Sequence, residues 1–305
     1  MLYSQRSPTG ASARSSQGVG EISVTDPTRN PAIGRSIDAA GHRTNYHDVG
    51  EGRPVILLHG SGPGVSAWTN WAGVIPALGK SMRVIAPDIA GFGFSEFRDD
   101  TAYDIKLWVK HLFGFMDALE LPTATLVGNS FGGGLALAAT LRDPSRIERL
   151  VLLGTPSGEF PMTDGLRAGW FYEPTVENMK RILCMFPFDA QLVTDDMVQE
   201  RYEASAREGA QEAFRKLIPT PGPEGETTIV RGVPEAALKT IEKPTMVIHG
   251  RDDHVIPLEL GLRIHHCIDD STLHSFGRCG HWVQHERRAE FLALVEGFVA
   301  EGSLR

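Results

Sequence analysis

Short apolar or β-branched runs recur along the chain at Val55–Leu58, Arg83–Ala86, Ala124–Val127, Leu150–Leu153, Thr245–Ile248 and Thr272–Phe276, bounded by Gly, Pro or Asp. Runs of this length with such boundaries are strand signals. Between several of them the apolar spacing lengthens to that of a helix, over Trp68–Leu78, Ile105–Leu119, Phe131–Leu141, Leu258–Cys267 and Ala289–Val299. Strand and helix in alternation imply an α/β architecture, a mostly parallel sheet covered by helices on both faces.

From about Ser157 to Leu238 the alternation stops. Charge-bearing helical stretches such as Thr175–Met185 and Asp195–Glu208 take over, which predicts a helical cap inserted into the α/β core. Its Pro/Gly-rich tail, Pro219–Gly225, reads as a loop back to the core. The expected organisation is a flexible leader over 1–30, core over 31–156, cap over 157–238 and core again over 239–305. The leader is rich in Ser, Gly, Thr and Arg and lacks the continuous apolar run of a secretory signal.

Composition narrows the function classes. At 305 residues, 41% hydrophobic and 22% charged, the chain is long enough for one sizeable core plus an insertion. A net charge of -8 gives no electrostatic reason to expect nucleic acid or an anionic membrane as partner. No apolar run reaches the roughly 20 residues that span a bilayer. Three widely spaced cysteines, Cys184, Cys267 and Cys279, suit a reducing compartment such as the cytoplasm and lack zinc-site spacing. Cys279 lies close to His281, yet a small packed residue is the better reading of it, because Ser130 has the stronger setting for a nucleophile.

That setting is Gly128-Asn129-Ser130-Phe131-Gly132, between a predicted strand and a predicted helix. A serine at the apex of so sharp a turn projects its hydroxyl from the sheet edge, and the following helix aims its free N–H groups at the same place. The pattern reads as a nucleophile elbow. After the strand Thr245–Ile248 comes Gly250-Arg251-Asp252-Asp253; of the two carboxylates only one can face the site, and Asp253 is preferred over Asp252. Helix capping by both is the alternative. His281, after the last predicted strand, completes the chain order Ser, Asp, His. The strand end His59-Gly60-Ser61-Gly62-Pro63-Gly64 meets neither dinucleotide-binding nor P-loop patterns. Its small residues suit an oxyanion hole built from the amides of Ser61, with Gly62 beside it, and Phe131.

Together these motifs resemble the α/β-hydrolase fold family, and more narrowly its meta-cleavage product hydrolases, which break carbon–carbon bonds in aromatic degradation. The narrower likeness rests on His59 to Asn70, Gly128 to Gly134, Gly250 to Asp253 and Cys279 to Trp282. It implies a triad of Ser130, Asp253 and His281, and a dienoate site lined by Asn70, Asn129 and Trp282. It also implies that Arg201, in Gln199-Glu200-Arg201-Tyr202-Glu203, binds the substrate carboxylate. The expected substrate is a small-molecule 2-hydroxy-6-oxo-dienoate, with the Asn-Ser-Phe elbow resembling the monocyclic-specific branch. A homo-oligomer is expected, with no metal, no organic cofactor, no nucleic acid and no membrane.

The chemistry makes sense of these parts. Carbon is a poor leaving group, so the dienol must first become a ketone from which cleavage releases a stabilised enolate. His281 suits the proton transfers, and Ser130 the attack on the C6 carbonyl. Direct hydration to a gem-diol, with Ser130 polarising the carbonyl, is the other route. Two competing functions share the fold: a carboxylesterase, which needs no carboxylate clamp, and a non-catalytic binding protein, which needs no triad.

Overall fold

The computed structural model describes residues 30–218 and 227–300; the leader and the loop Pro219–Gly225 fall outside this range, apart from the last leader residue. Ten strands form two sheets: β1 (Arg35–Ala39), β2 (His42–Val49), β3 (Pro54–Leu58), β4 (Arg83–Pro87), β5 (Ala124–Asn129), β6 (Ile147–Leu153), β7 (Glu159–Pro161), β8 (Ile229–Arg231), β9 (Thr245–Gly250) and β10 (Ser271–Phe276). The large sheet runs β1-β2-β4-β3-β5-β6-β9-β10. It is parallel from β4 through β10, while β1 and β2 join antiparallel at one edge. Helices α1 (Ala67–Trp71), α2 (Ile75–Leu78), α3 (Ile105–Ala118) and α4 (Phe131–Arg142) belong to the first half of the core.

The strands alternate their side chains between two apolar layers. Ile56, Leu58 and Leu126 face one, with Phe115 and Leu135; Val55, Leu57 and Val127 face the other, with Trp71 and Phe291. β5 and β9 are buried along their whole length, so the sheet's centre is closed to water and its chemistry is confined to strand ends.

Each predicted core strand and helix has a counterpart, with one helix altered. Trp68–Leu78 breaks into α1 and α2 because Pro76 falls in the first turn of α2 and lacks the N–H that a continuous helix requires. Among elements not anticipated, β1 and β2 form an edge hairpin whose polar, part-exposed residues hide the alternation.

Between β6 and β9 lie α5 (Asp164–Trp170), α6 (Val176–Leu183), α7 (Asp195–Ala206), α8 (Ala210–Leu217) and α9 (Glu235–Leu238), with β7 and β8 paired as a small antiparallel ribbon. Thr163, Thr175 and Thr194 each cap a helix by accepting a backbone N–H. Tyr172, Met179, Ile182, Leu183 and Val198 pack together, and Trp282 joins them from outside the insertion. The chain closes with α10 (Leu258–Cys267), α11 (Val283–Glu286) and α12 (Arg288–Ala300). No helix among the described residues is long and apolar enough to cross a membrane.

Candidate active site

The carboxyl ends of β3, β5, β6 and β9 and the loop after β10 meet at one rim. Ser130 sits there between β5 and α4 with φ 54° and ψ -116°, a conformation that costs a non-glycine residue about 1–3 kcal/mol. Its amide donates to the Leu153 carbonyl at 2.8 Å, fixing the turn to β6. The flanking glycines are sterically required: a Cβ on Gly128 would overlap the backbone of Gly132 and Gly133, and one on Gly132 the Leu58 carbonyl. Ser130 is 92% hidden from solvent, so any nucleophilic role would be played inside a pocket.

Asp253 and His281 come together at that rim. His281 Nδ1 donates to Asp253 Oδ2 at 2.7 Å, and Asp253 Oδ1 accepts the amides of Val255 and Ile256 at 2.8 and 2.9 Å. These bonds hold the carboxylate still and leave His281 Nε2 for another partner. Asp252 turns outward to the Arg278 amide at 2.7 Å and to Arg251. A hydrogen bond from Ser130 to His281 is not among those formed by the described residues, although both side chains line the same cavity. Resting sites often lack such bonds until substrate is bound.

The loop after β3 is held from below. His59, fully buried, accepts the Ile89 amide on Nε2 at 2.9 Å, so its Nδ1–H donates to the Gly60 carbonyl at 2.7 Å. Burial lowers its pKa to about 4 and keeps the ring neutral. Asp88 accepts the amides of Ala67 and Phe94 and the Asn45 side chain at 2.6–2.8 Å. Desolvation nevertheless raises its pKa to about 6. The amides of Ser61, Gly62 and Phe131 donate to no acceptor among the described residues, and that of Phe131 opens α4, where no helical acceptor exists.

A narrow cavity of about 30 Å³ is lined by the polar side chains of Ser130, His281, Asn70, Asn129 and Arg201 and by apolar ones such as Leu166, Phe186 and Trp282. Asn70 Oδ1 accepts the Gly60 amide at 3.3 Å, while its buried Nδ2 has no partner among the described residues. Asn129 Nδ2 reaches the Leu153 carbonyl at 3.5 Å. Arg201 comes from α7; its Nε donates to the Pro63 carbonyl at 3.2 Å, and it forms no ion pair among the described residues. Burial pulls its pKa down to about 10, which leaves it charged at neutral pH. A second, apolar cavity of about 770 Å³ shares Ser61, Ser130, Leu166 and Trp170 with the first and runs past Phe131, Phe160 and Val230. Ser130 therefore stands where a small cavity that carries the polar side chains meets a larger, apolar one.

The comparisons fit this geometry. A family profile described as the alpha/beta hydrolase fold matches residues 53–288. A 2-hydroxy-6-oxo-2,4-heptadienoate hydrolase of Pseudomonas putida is 49% identical over 271 residues, 89% of this chain and 98% of that protein. This chain belongs to the meta-cleavage product hydrolases of the α/β-hydrolase fold. A 2-hydroxymuconate semialdehyde hydrolase of a Pseudomonas species is also 49% identical, over 90% of this hydrolase and 96% of the relative. Among solved structures, a meta-cleavage product hydrolase from Pseudomonas fluorescens complexed with acetates superposes with TM-score 0.85 at 49% identity, covering 90% and 100% of the two chains.

Several residues of this hydrolase's site carried no reading from sequence. Gly154, at the end of β6 with φ 48°, lies where a Cβ would stand 2.9 Å from His281 Nδ1 and 3.2 Å from Asp253 Oδ2. The available signal was a glycine directly after a predicted strand. His249 places Nε2 3.5 Å from Asp253 Oδ2 while donating to the Ile256 carbonyl at 2.8 Å. Cys279 is fully buried, with desolvation pushing its thiol up to about 12, the state of a packing residue rather than a nucleophile.

Proposed function

We propose that Ser130, Asp253 and His281 carry out carbon–carbon bond hydrolysis of a 2-hydroxy-6-oxo-hexa-2,4-dienoate, giving 2-hydroxypenta-2,4-dienoate and a carboxylic acid. The observation that carries the reading is Arg201, which forms no ion pair among the described residues and lines the same cavity as Ser130 and an Asp253-oriented His281. An ester hydrolase has no use for that cation. A dienoate has a carboxylate for it.

In this reading the carboxylate and 2-oxygen enter the smaller cavity against Arg201, Asn70 and Asn129, with C6 at Ser130 and its substituent in the apolar cavity. A pentadienoate chain fills more than about 30 Å³, so binding displaces a lining side chain; Arg201, tethered through Nε alone, is the long one free to yield. His281 moves a proton from the 2-hydroxyl side to C5 to give the ketone. Ser130 then loses its proton to Nε2 and adds to C6, and the oxyanion takes the amides of Phe131 and Ser61, with Gly62 beside it. The C5–C6 bond breaks with its electron pair going to the dienolate, which takes the proton from Nε2 to leave as the dienol and returns His281 to its neutral form. Water, deprotonated by His281, releases the acid from the serine.

The substituent on C6 is proposed to be hydrogen or short alkyl, in keeping with the heptadienoate and semialdehyde named for relatives of 49% identity. A homo-oligomer in the cytoplasm is proposed as its working state; sedimentation equilibrium and cell fractionation test these two points. The main experiment mixes the protein with the yellow ring-fission products of catechol, 3-methylcatechol and 2,3-dihydroxybiphenyl. Loss of colour with formic, acetic or benzoic acid as co-product supports the reading. Persistence of all three colours beside rapid hydrolysis of a simple aryl ester would replace it with the esterase.

A further inference from the structure

The loop bearing His281 is tied to the insertion by more than aromatic packing. The His281 amide donates to the Phe186 carbonyl at 2.7 Å. Two residues beyond Phe186, the Phe188 amide donates to Glu286 Oε2 at 2.8 Å. The same carboxylate accepts the Gly280 amide at 2.9 Å on Oε1 and 3.1 Å on Oε2. One side chain at the end of α11 thus bridges the segment after α6 to the residue preceding His281. The rings close the joint: Phe186 lies 5.6 Å from the imidazole and stacks on Trp282 at 5.2 Å. Gly280 is there because a Cβ would overlap the Phe186 carbonyl and stand 2.8 Å from the Phe188 nitrogen.

Asp253 fixes one edge of the imidazole, but a ring held through Nδ1 alone can still pivot about that bond. Backbone anchorage at residues 280 and 281 removes the pivot. We propose that Glu286 is a positioning residue for the reaction: its carboxylate fastens the His281 loop to the insertion, so that Nε2 reaches Ser130 only while the Phe186–Phe188 segment lies in place. The proposal rests on the Ser130–Asp253–His281 reading. It makes the insertion part of triad assembly as well as of substrate binding.

The test compares kcat and KM per folded enzyme, on a ring-fission dienoate, for Glu286→Ala, Glu286→Gln, Phe188→Pro and Phe188→Ala. Glu286→Ala should lower kcat about 10- to 100-fold with KM within about 3-fold, the signature of misplaced chemistry rather than lost binding. Glu286→Gln keeps an acceptor oxygen and should recover to within about 5-fold of wild type. Phe188→Pro deletes the N–H that Glu286 accepts and should fall between these, whereas Phe188→Ala keeps the N–H and should stay near wild type. An unchanged kcat in Glu286→Ala overturns the proposal. So does equal loss in the Ala, Gln and Phe188→Ala variants, which would mark a merely structural role. His281→Ala separates the two levels: if it retains full turnover the triad reading itself fails, whereas an inactive His281→Ala beside a fully active Glu286→Ala removes the clamp alone.

Discussion

On the sheet side of the site, backbone groups hold the candidate triad residues and the loop beside them: two amides on Asp253 Oδ1, the Leu153 carbonyl on the Ser130 amide, the Ile89 amide on His59. On the insertion side the Phe186–Phe188 segment clasps the His281 loop at 2.7–2.8 Å, but the side chains that line the cavity are held by fewer and longer bonds. Arg201 has one bond to a core carbonyl at 3.2 Å, and Trp170 reaches Ser61 Oγ at 3.4 Å. Under the proposed function the difference matches different tasks for the two walls. Proton transfer tolerates little displacement, so its groups sit on strand ends. Recognition of a flexible chain with a variable end tolerates more, and Arg201 and Trp170 come from helices of the insertion.

If the sheet side does the chemistry, Ser130→Ala and His281→Ala should each lower kcat by at least about 10³-fold, measured as loss of dienoate absorbance. Substrate affinity should remain. Gly154→Ala should come next, at about 10- to 100-fold in kcat, because its methyl would press on His281 Nδ1 and Asp253 Oδ2. A near-normal Gly154→Ala would mean that the rim is softer than its hydrogen bonds suggest.

If the insertion recognises substrate, Arg201→Ala should raise KM for the dienoate about 10- to 100-fold, with a smaller change in kcat. Filling the apolar cavity with Val230→Trp should narrow the series of accepted C6 substituents and leave the smallest one turned over at nearly its normal rate.

A last effect leaves turnover aside and concerns stability alone. His59 and His111 are buried with pKa lowered to about 4 by desolvation, so between that value and an unfolded value near 6.5 the unfolded chain binds more protons. Their contribution is complete above pH 6.5 and is lost as pH falls toward 4, by about 2 kcal/mol each at pH 5. Asp88, raised to about 6, acts in the opposite direction and offsets about 1 kcal/mol of this. The thermal midpoint should therefore drop from pH 7.5 to 5, and less steeply in His111→Gln, which removes a ring that pairs with Thr44 at 2.7 Å.

Legibility followed the range of the interactions. Strands β3 to β6, β9 and β10 were readable because each is a local apolar run with a turn residue beside it. Ser130, Asp253 and His281 were readable because strand-end motifs are local too, and the structure brings Asp253 and His281 into contact across 28 residues of sequence. Arg201 came only through resemblance; nothing in a helical Glu-Arg-Tyr stretch says which way an arginine faces. Gly154, Phe186 and Glu286 were silent because their meaning lies in contacts with distant residues, and the β7–β8 ribbon because strands of three residues carry too little pattern.

The division of labour between the two walls is tested most directly by assaying wild type, Ser130→Ala and Arg201→Ala on a 6-methyl dienoate and on an aryl acetate that lacks a carboxylate. The account predicts that Ser130→Ala abolishes turnover of both, and that Arg201→Ala impairs the dienoate while leaving the acetate untouched. Equal impairment of both substrates by Arg201→Ala, or dienoate cleavage that survives without Ser130, would contradict it.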